Sequence, residues 1–499
     1  MRFLALLVLA GLAAGLNGRG APGRPNLLLV IADDASAAHF GANGDPAVRT
    51  PHFDRVAREG ANFRQVFCSS PSCTPSRAAL LTGQDFFRLG STANLWSAWP
   101  AGLEGYPDRL AAAGYRVGLQ GKGWGPGDFR AGGRTNNPAG PAAGDFRAFL
   151  RTLPAGTPFA FWHGSQDPHR PYEAGSGAKA GVDPARVQVP GYLPDLPEVR
   201  SDLADYLAEI ERFDRQLGEL LTALEEAGQL DQTLVIVTSD NGLPFPRGKA
   251  TAYDAGTRMP LAMRWPGRIA AGRTVDALVS HTDLAPTILE AAGLAVPDSM
   301  TGRSLLSHLG SSGKPPADWR DAVVVGRERH AAVRAGNLGY PIRGLRTGRH
   351  LYLRNEAPGR WPAGDPPRWG DVDPADGLTG SPTKAAVVGL TNDPARRHWF
   401  DLAFARRPAE ELYDLAQDPW QTNNLAAQPG FSTVRDKLRR RLSQELRQRG
   451  DPRAQGRGRE FEQEVYVTSG PAGAPGPVSE VLGIPQIDLA GDHGRQTTV

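Results

Sequence analysis

The stretch Asn26-Leu27-Leu28-Leu29-Val30-Ile31-Ala32-Asp33-Asp34 is an unbroken apolar run closed by two carboxylates. A run without polar alternation reads as a strand buried on both faces, as in a parallel sheet covered by helices on each side. Open α/β sheets bind their ligands at the carboxyl ends of strands, where Asp33 and Asp34 fall. Aspartate is also a good helix N-cap, so the pair alone serves equally well as a cap or as ligands.

A second run, Thr233 to Thr238, repeats the design and ends in Ser239-Asp240-Asn241-Gly242. Between the two runs, Tyr115 to Lys122 reads as a strand and turn, and Phe159 to His163 as a strand leading to Asp167-Pro168-His169. Asp202 to Ala227 carries Leu203, Tyr206, Leu207, Ile210, Phe213, Leu217, Leu220, Leu221 and Leu224 at helical spacing, which predicts an amphipathic helix packed on the sheet. After about residue 310 the chain turns rich in Pro and Gly, with a strand pair at Arg343 to Leu345 and His350 to Leu353 and a charged helix at Thr433 to Arg449. The expected fold is α/β, a large mostly parallel sheet flanked by helices, with a smaller C-terminal α+β region.

The 499 residues, 40% hydrophobic, are ample for a large core, which excludes a disordered or fibrous protein. A net charge of +3 over this length leaves no nucleic-acid footprint. Residues 1–23 read as a secretory signal: Arg2, an apolar run from Phe3 to Leu16, then small residues such as Ala21 and Gly23. That run is shorter than the roughly 20 residues of a bilayer span, so no stable membrane span is expected once the signal is removed. The two cysteines, Cys68 and Cys73, exclude a disulfide framework and allow one local bridge.

Ser72-Cys73-Thr74-Pro75-Ser76-Arg77-Ala78-Ala79-Leu80-Leu81-Thr82-Gly83 resembles the Cys-x-Pro-Ser-Arg and Leu-Thr-Gly motif of the type I sulfatases. The resemblance implies an alkaline-phosphatase-like fold and hydrolysis of a sulfate ester or sulfamate on a carbohydrate. It also implies that Cys73 is converted by a formylglycine-generating enzyme to Cα-formylglycine, whose hydrated aldehyde is the nucleophile. The implied metal ligands are Asp33, Asp34, Asp240 and Asn241 with the modified Cys73, an all-oxygen set that favours Ca2+, with Mg2+ second. Arg77 is implied to stabilise the nucleophile, Lys122 and Lys249 to grip the sulfate oxygens, and His169 to act as the general acid. His39, His52, His163 and His281 have no such support and read as packing or hydrogen-bonding residues.

One departure stands at Trp124, where many sulfatases carry a histidine that helps break the sulfated intermediate; an aromatic wall for a sugar ring is the alternative use of that position. Ser239 to Pro246, Asp167 to Arg170 and Glu411 to Pro419 resemble the N-sulfoglucosamine sulfohydrolase (heparan sulfamidase) branch. So does Tyr340-Pro341-Ile342-Arg343, which makes Arg343 a candidate contact for an anionic sugar. The expected organisation is a signal peptide at 1–23, a catalytic domain at 24–310, an α+β subdomain at 311–460 and a Gly/Pro-rich tail at 461–499, secreted or periplasmic. The rival readings are a phosphonate or phosphodiester hydrolase on the same site and a non-catalytic glycan-binding relative.

Overall fold

A computed structural model describes residues 24–309, 316–372, 381–464, 467–469 and 475–476. The expected signal at 1–23 and most of the 461–499 tail lie outside the described residues.

The main sheet has seven strands: β1 (Asn26–Ala32), β2 (Ala61–Phe63), β3 (Arg116–Gly121), β4 (Phe159–Gly164), β5 (Thr233–Ser239), β6 (Leu261–Arg264) and β7 (Arg273–Val275). Their order across the sheet is β7-β2-β6-β5-β1-β4-β3. The central block β5-β1-β4-β3 is wholly parallel, and only β6 runs antiparallel to its neighbours. β1, the apolar run quoted first, is buried at every residue, because it is central and covered on both faces.

Alternate residues of β1 feed two separate cores. Leu28 and Val30 pack with Leu203, Leu207, Ile210, Leu217 and Leu224 of a long helix, α3 (Pro197–Glu226). Leu27, Leu29 and Ile31 face α2 (Cys73–Thr82) and α4 (Leu284–Ala291) through Leu80, Leu81 and Ile288. On the first face, α1 (Pro51–Glu59) joins α3 through Phe53 and Val56. The α3 stripe predicted from sequence is core as expected, but the helix starts earlier, at Pro197, since proline suits the first turn.

The C-terminal region contributes an antiparallel sheet of β8 (Ala322–Arg327), β9 (Ile342–Thr347), β10 (His350–Asn355) and β11 (Glu410–Asp414), in that order, with α5 (Ser432–Gln448) against it. Leu438, Leu442 and Leu446 are the buried side of α5, and its charged remainder stays at the surface. No described helix is long and apolar enough to cross a membrane.

Candidate active site

Four neighbouring parallel strands deliver chemistry at their carboxyl ends. β1 and β5 pair with Ala32 opposite Ser239, so Asp33-Asp34 and Asp240-Asn241 leave the sheet side by side. Lys122 follows β3 directly, and His169 lies a short loop beyond β4. Asp34 adopts φ 76°, a left-handed conformation unusual for a side-chain-bearing residue, while its N–H donates to Asp240 Oδ1 at 3.0 Å. The chain turns sharply there, which is how successive aspartates come to face one point.

Cys73 opens α2. Ser72 precedes it in extended backbone, Pro75 fits the first turn, and Gly83 closes the helix at φ 65° with its N–H on the Ala79 carbonyl. The helix N-terminus favours negative charge at residue 73. Arg77 stands four residues on, on the same face. All of α2 is buried.

Cys73 Sγ lies 3.6 Å from Asp33 Oδ1 and 4.0 Å from Asp34 Oδ1, and one ligand atom from each of the three falls within 4.8 Å of the others. Asn241 Nδ2 donates to Asp34 Oδ1 at 2.7 Å, while Asn241 Oδ1 is buried with no hydrogen-bond partner. An orphaned carbonyl oxygen among buried carboxylates is costly unless a cation takes it, so the donor set fits a hard divalent ion held by oxygen.

The cations sit around the carboxylates. Lys122 Nζ donates to both Asp33 oxygens at 2.8 and 2.6 Å, and Lys249 Nζ to Asp34 Oδ2 at 2.7 Å. Arg77 Nε donates to Asp240 Oδ2 at 2.8 Å and its Nη1 to the Lys122 and Gly123 carbonyls, leaving Nη2 with no hydrogen bond, 3.6 Å from Asp33 Oδ1. Ser76 of the same helix turn donates to the Asp240 carbonyl at 2.5 Å. Burial pushes the Asp33 carboxyl up, but Lys122, His169 and Arg77 reverse this and hold it down at about 2. Burial likewise raises Asp34, and Lys249 chiefly overturns it. Burial pushes the Cys73 thiol up to about 12, so as an unmodified thiol it stays protonated.

His169 Nδ1 lies 2.6 Å from the Arg170 carbonyl and so carries the hydrogen. Its Nε2 faces Asp34 Oδ2 at 3.8 Å, and the side chain is 42% exposed. It is the open edge of an otherwise sealed cluster. The loop carrying it is anchored by Asp167, which accepts from Arg212 Nε at 2.9 Å and Gln216 Nε2 at 2.8 Å.

Nine of the ten residues singled out in the sequence therefore converge, and Arg343 does not. It is fully buried in β9, its guanidinium donating to Glu328 Oε1 at 2.6 Å and to both Asp451 oxygens. Two carboxylates already claim it, so it is a core ion pair and offers nothing to a sugar. Trp124 is corrected too: it is 3% exposed and packs edge-on against Trp99, with centroids 5.2 Å apart, so it builds the core and presents no sugar-stacking wall. Cys68 and Cys73 are both free thiols, with no local bridge. Ser76 and Asp167 were not legible as site residues: one was visible only as part of a motif, the other only as a neighbour of His169.

The family model described as Sulfatase matches residues 25–136 and 143–294, and the chain belongs to the sulfatase family. A second model, N-sulphoglucosamine sulphohydrolase, C-terminal, matches residues 248–349. The human N-sulphoglucosamine sulphohydrolase is 32% identical over 490 residues, covering 86% of this chain and 91% of that protein. A structure solved in complex with its substrate D-glucosamine-2-N,6-O-disulfate superimposes with a TM-score of 0.63 at 22% identity, over 86% of this chain and 98% of the other. A phosphonate monoester hydrolase from Silicibacter pomeroyi gives a TM-score of 0.64 at 22% identity, over 86% and 96%. These likenesses show the alkaline-phosphatase-like fold. By family the chain is a sulfuric ester hydrolase of sulfamidase-like sequence, and the family generally works with formylglycine and a divalent metal.

Proposed function

We propose that this is a secreted or periplasmic, Ca2+-dependent sulfatase that removes sulfate from an N- or O-sulfated amino sugar of glycosaminoglycan type, with residue 73 as formylglycine. The observation that carries the reading is the convergence on Cys73 of Asp33, Asp34, Asp240 and Asn241 with Arg77, Lys122, Lys249 and His169. The resemblance to the human sulphohydrolase supports the sugar class.

Asp33, Asp34, Asp240 and Asn241 would hold the cation; when bound, it supplies Lewis acidity to the nucleophile and the sulfo group, and formylglycine supplies a hydrated aldehyde as that nucleophile. Arg77, fixed by Asp240 and two carbonyls, keeps one guanidinium nitrogen in reserve for negative charge at residue 73. Lys122 and Lys249 bring two positive charges to bind sulfo oxygens and offset charge developing in the transition state. His169, with Nδ1–H tied to a carbonyl, presents Nε2 to hand a proton to the leaving oxygen or nitrogen. Burial of Asp33, Asp34, Asp240 and Arg77 strengthens the contacts among them.

The test is the mass of the peptide containing Cys73, which conversion lowers by about 18 Da, together with turnover of N-sulfoglucosamine, an aryl sulfate and an aryl phosphodiester. Conversion with preferred release of sulfate from the sugar is expected. Faster phosphodiester turnover makes the protein a phosphoryl hydrolase, and unconverted Cys73 with retained glycan binding makes it a non-catalytic relative.

A further inference from the structure

Ser72 sits at the N-cap of α2 in extended backbone, the position from which a serine hydroxyl ordinarily accepts a helix N–H, yet it makes no such cap. Its Oγ lies 2.8 Å from His330 Nδ1 instead. Among the described residues this is the only side-chain hydrogen bond of Ser72, which is fully buried. With no other acceptor for its hydrogen among the described residues, we assign the donor role to Ser72 Oγ–H, which places the proton of the neutral ring on Nε2.

His330 arrives from the other sheet. β8 ends at Arg327, where Gly326 N–H donates to the Ser69 carbonyl at 3.1 Å and Arg327 Nη1 donates to the Ala250 carbonyl. Ala250 N–H in turn donates to the Pro71 carbonyl at 2.8 Å. The chain just beyond β8, the Lys249 segment and the residues leading into Cys73 are thus tied together. The next loop is held by Ala331 N–H on Asp371 Oδ1 at 3.0 Å. The ring is 5% exposed, and burial keeps it neutral, its pKa down at about 3 against the pull of Asp371, with Lys249, Arg327 and Asp34 also acting on it. Its Nε2 makes no hydrogen bond among the described residues.

We propose that His330 is a substrate-binding residue whose Nε2–H donates to an acceptor oxygen of the sulfated substrate beside Lys249. Ser72 acts as its positioning residue by fixing the tautomer. An uncharged donor there adds a directed hydrogen bond without adding to the charge of Arg77, Lys122 and Lys249. The proposal rests on the sulfatase reading above.

The test uses the full-length protein labelled with 15N-histidine, titrated separately with inorganic sulfate and with unsulfated glucosamine. The expected spectrum shows the Nε2–H tautomer at His330 and a shift of its Nε2 signal on titration. A response to sulfate assigns a sulfo oxygen and a response to glucosamine a sugar oxygen; either supports the donor role, and an Nδ1–H tautomer or no response to both overturns it. H330N, which keeps an acceptor for Ser72 and deletes the outer nitrogen, should weaken sulfated-ligand binding and lower kcat/KM about ten- to hundred-fold. Melting temperature and conversion of residue 73 should stay at wild type, and H330Q should recover part of the loss. Wild-type behaviour of H330N also overturns the proposal. Because the titration needs no turnover, a converted wild-type protein that hydrolyses no sulfated sugar refutes the functional reading while His330 is still judged by its own signal.

Discussion

At the scale of single residues, His169 and Arg343 make opposite predictions. His169→Ala removes the one site group at the open edge and should slow carbohydrate substrates, with poor leaving groups, far more than an activated aryl sulfate. Comparing kcat/KM for the two substrates checks this, and equal losses would move the acid elsewhere. Arg343→Ala leaves Asp451 without its cation in the core, while Glu328 keeps Arg453, and should cost about 3–5 kcal/mol of stability, read by urea unfolding, with KM for small substrates unchanged. Sequence made both residues visible, but only as members of short segments. What separates them is burial and partners: Asp451 lies 108 positions from Arg343 and no local pattern announces it. The same limit applies to Asp33 and Asp34, whose own segment leaves cap and ligand open and gives no sign of Cys73 and Asn241, which reach them from distant segments.

Among the elements, the parallel strands β1, β4 and β5 were readable because burial on both faces leaves continuous apolar runs, and α3 because its stripe is regular. The close approach that sets Lys122 was not. Lys122 N–H donates to the Gly164 carbonyl at 2.8 Å, and a Cβ on Gly164 would stand 1.8 Å from the Lys122 carbonyl oxygen. That oxygen also accepts from Arg77 Nη1 and Trp162 Nε1. Gly164→Ala should therefore push the end of β3 away, shift Lys122 and Arg77 together, and lower kcat on the order of 100-fold in a protein whose far-ultraviolet circular dichroism is unchanged. A glycine inside a strand carries no sign in the sequence of what approaches it; it reads only as a weak strand residue.

For the whole molecule, Asp33, Asp34 and Asp240 lie buried together, so calcium should stabilise the native state by mass action. Chelation should lower the melting temperature and abolish turnover, calcium should restore both, and Asp240→Ala should leave the activity beyond rescue. Stability should also fall in acid through His281, which burial holds at about 4. The native ring refuses a proton that the unfolded chain binds below about pH 6.5, so its contribution is complete above that pH and is lost as pH falls toward 4. The unfolding free energy of wild type relative to His281→Gln should accordingly shrink by up to about 1.4 kcal/mol per pH unit across that window. Charge balance and length gave no hint of this, since the shift comes from the site's depth and not from composition.

The complete burial of α2 has a consequence in time. Cys73, Pro75 and Arg77 lie against segments that begin at Asp33 and end at Lys249, so the pocket closes only after at least 249 residues have been made. On the conversion proposed for Cys73, the modifying enzyme would reach this segment only before it docks. If that conversion takes place, a variant that folds faster should leave more of residue 73 as cysteine, read in the mass of the Cys73 peptide.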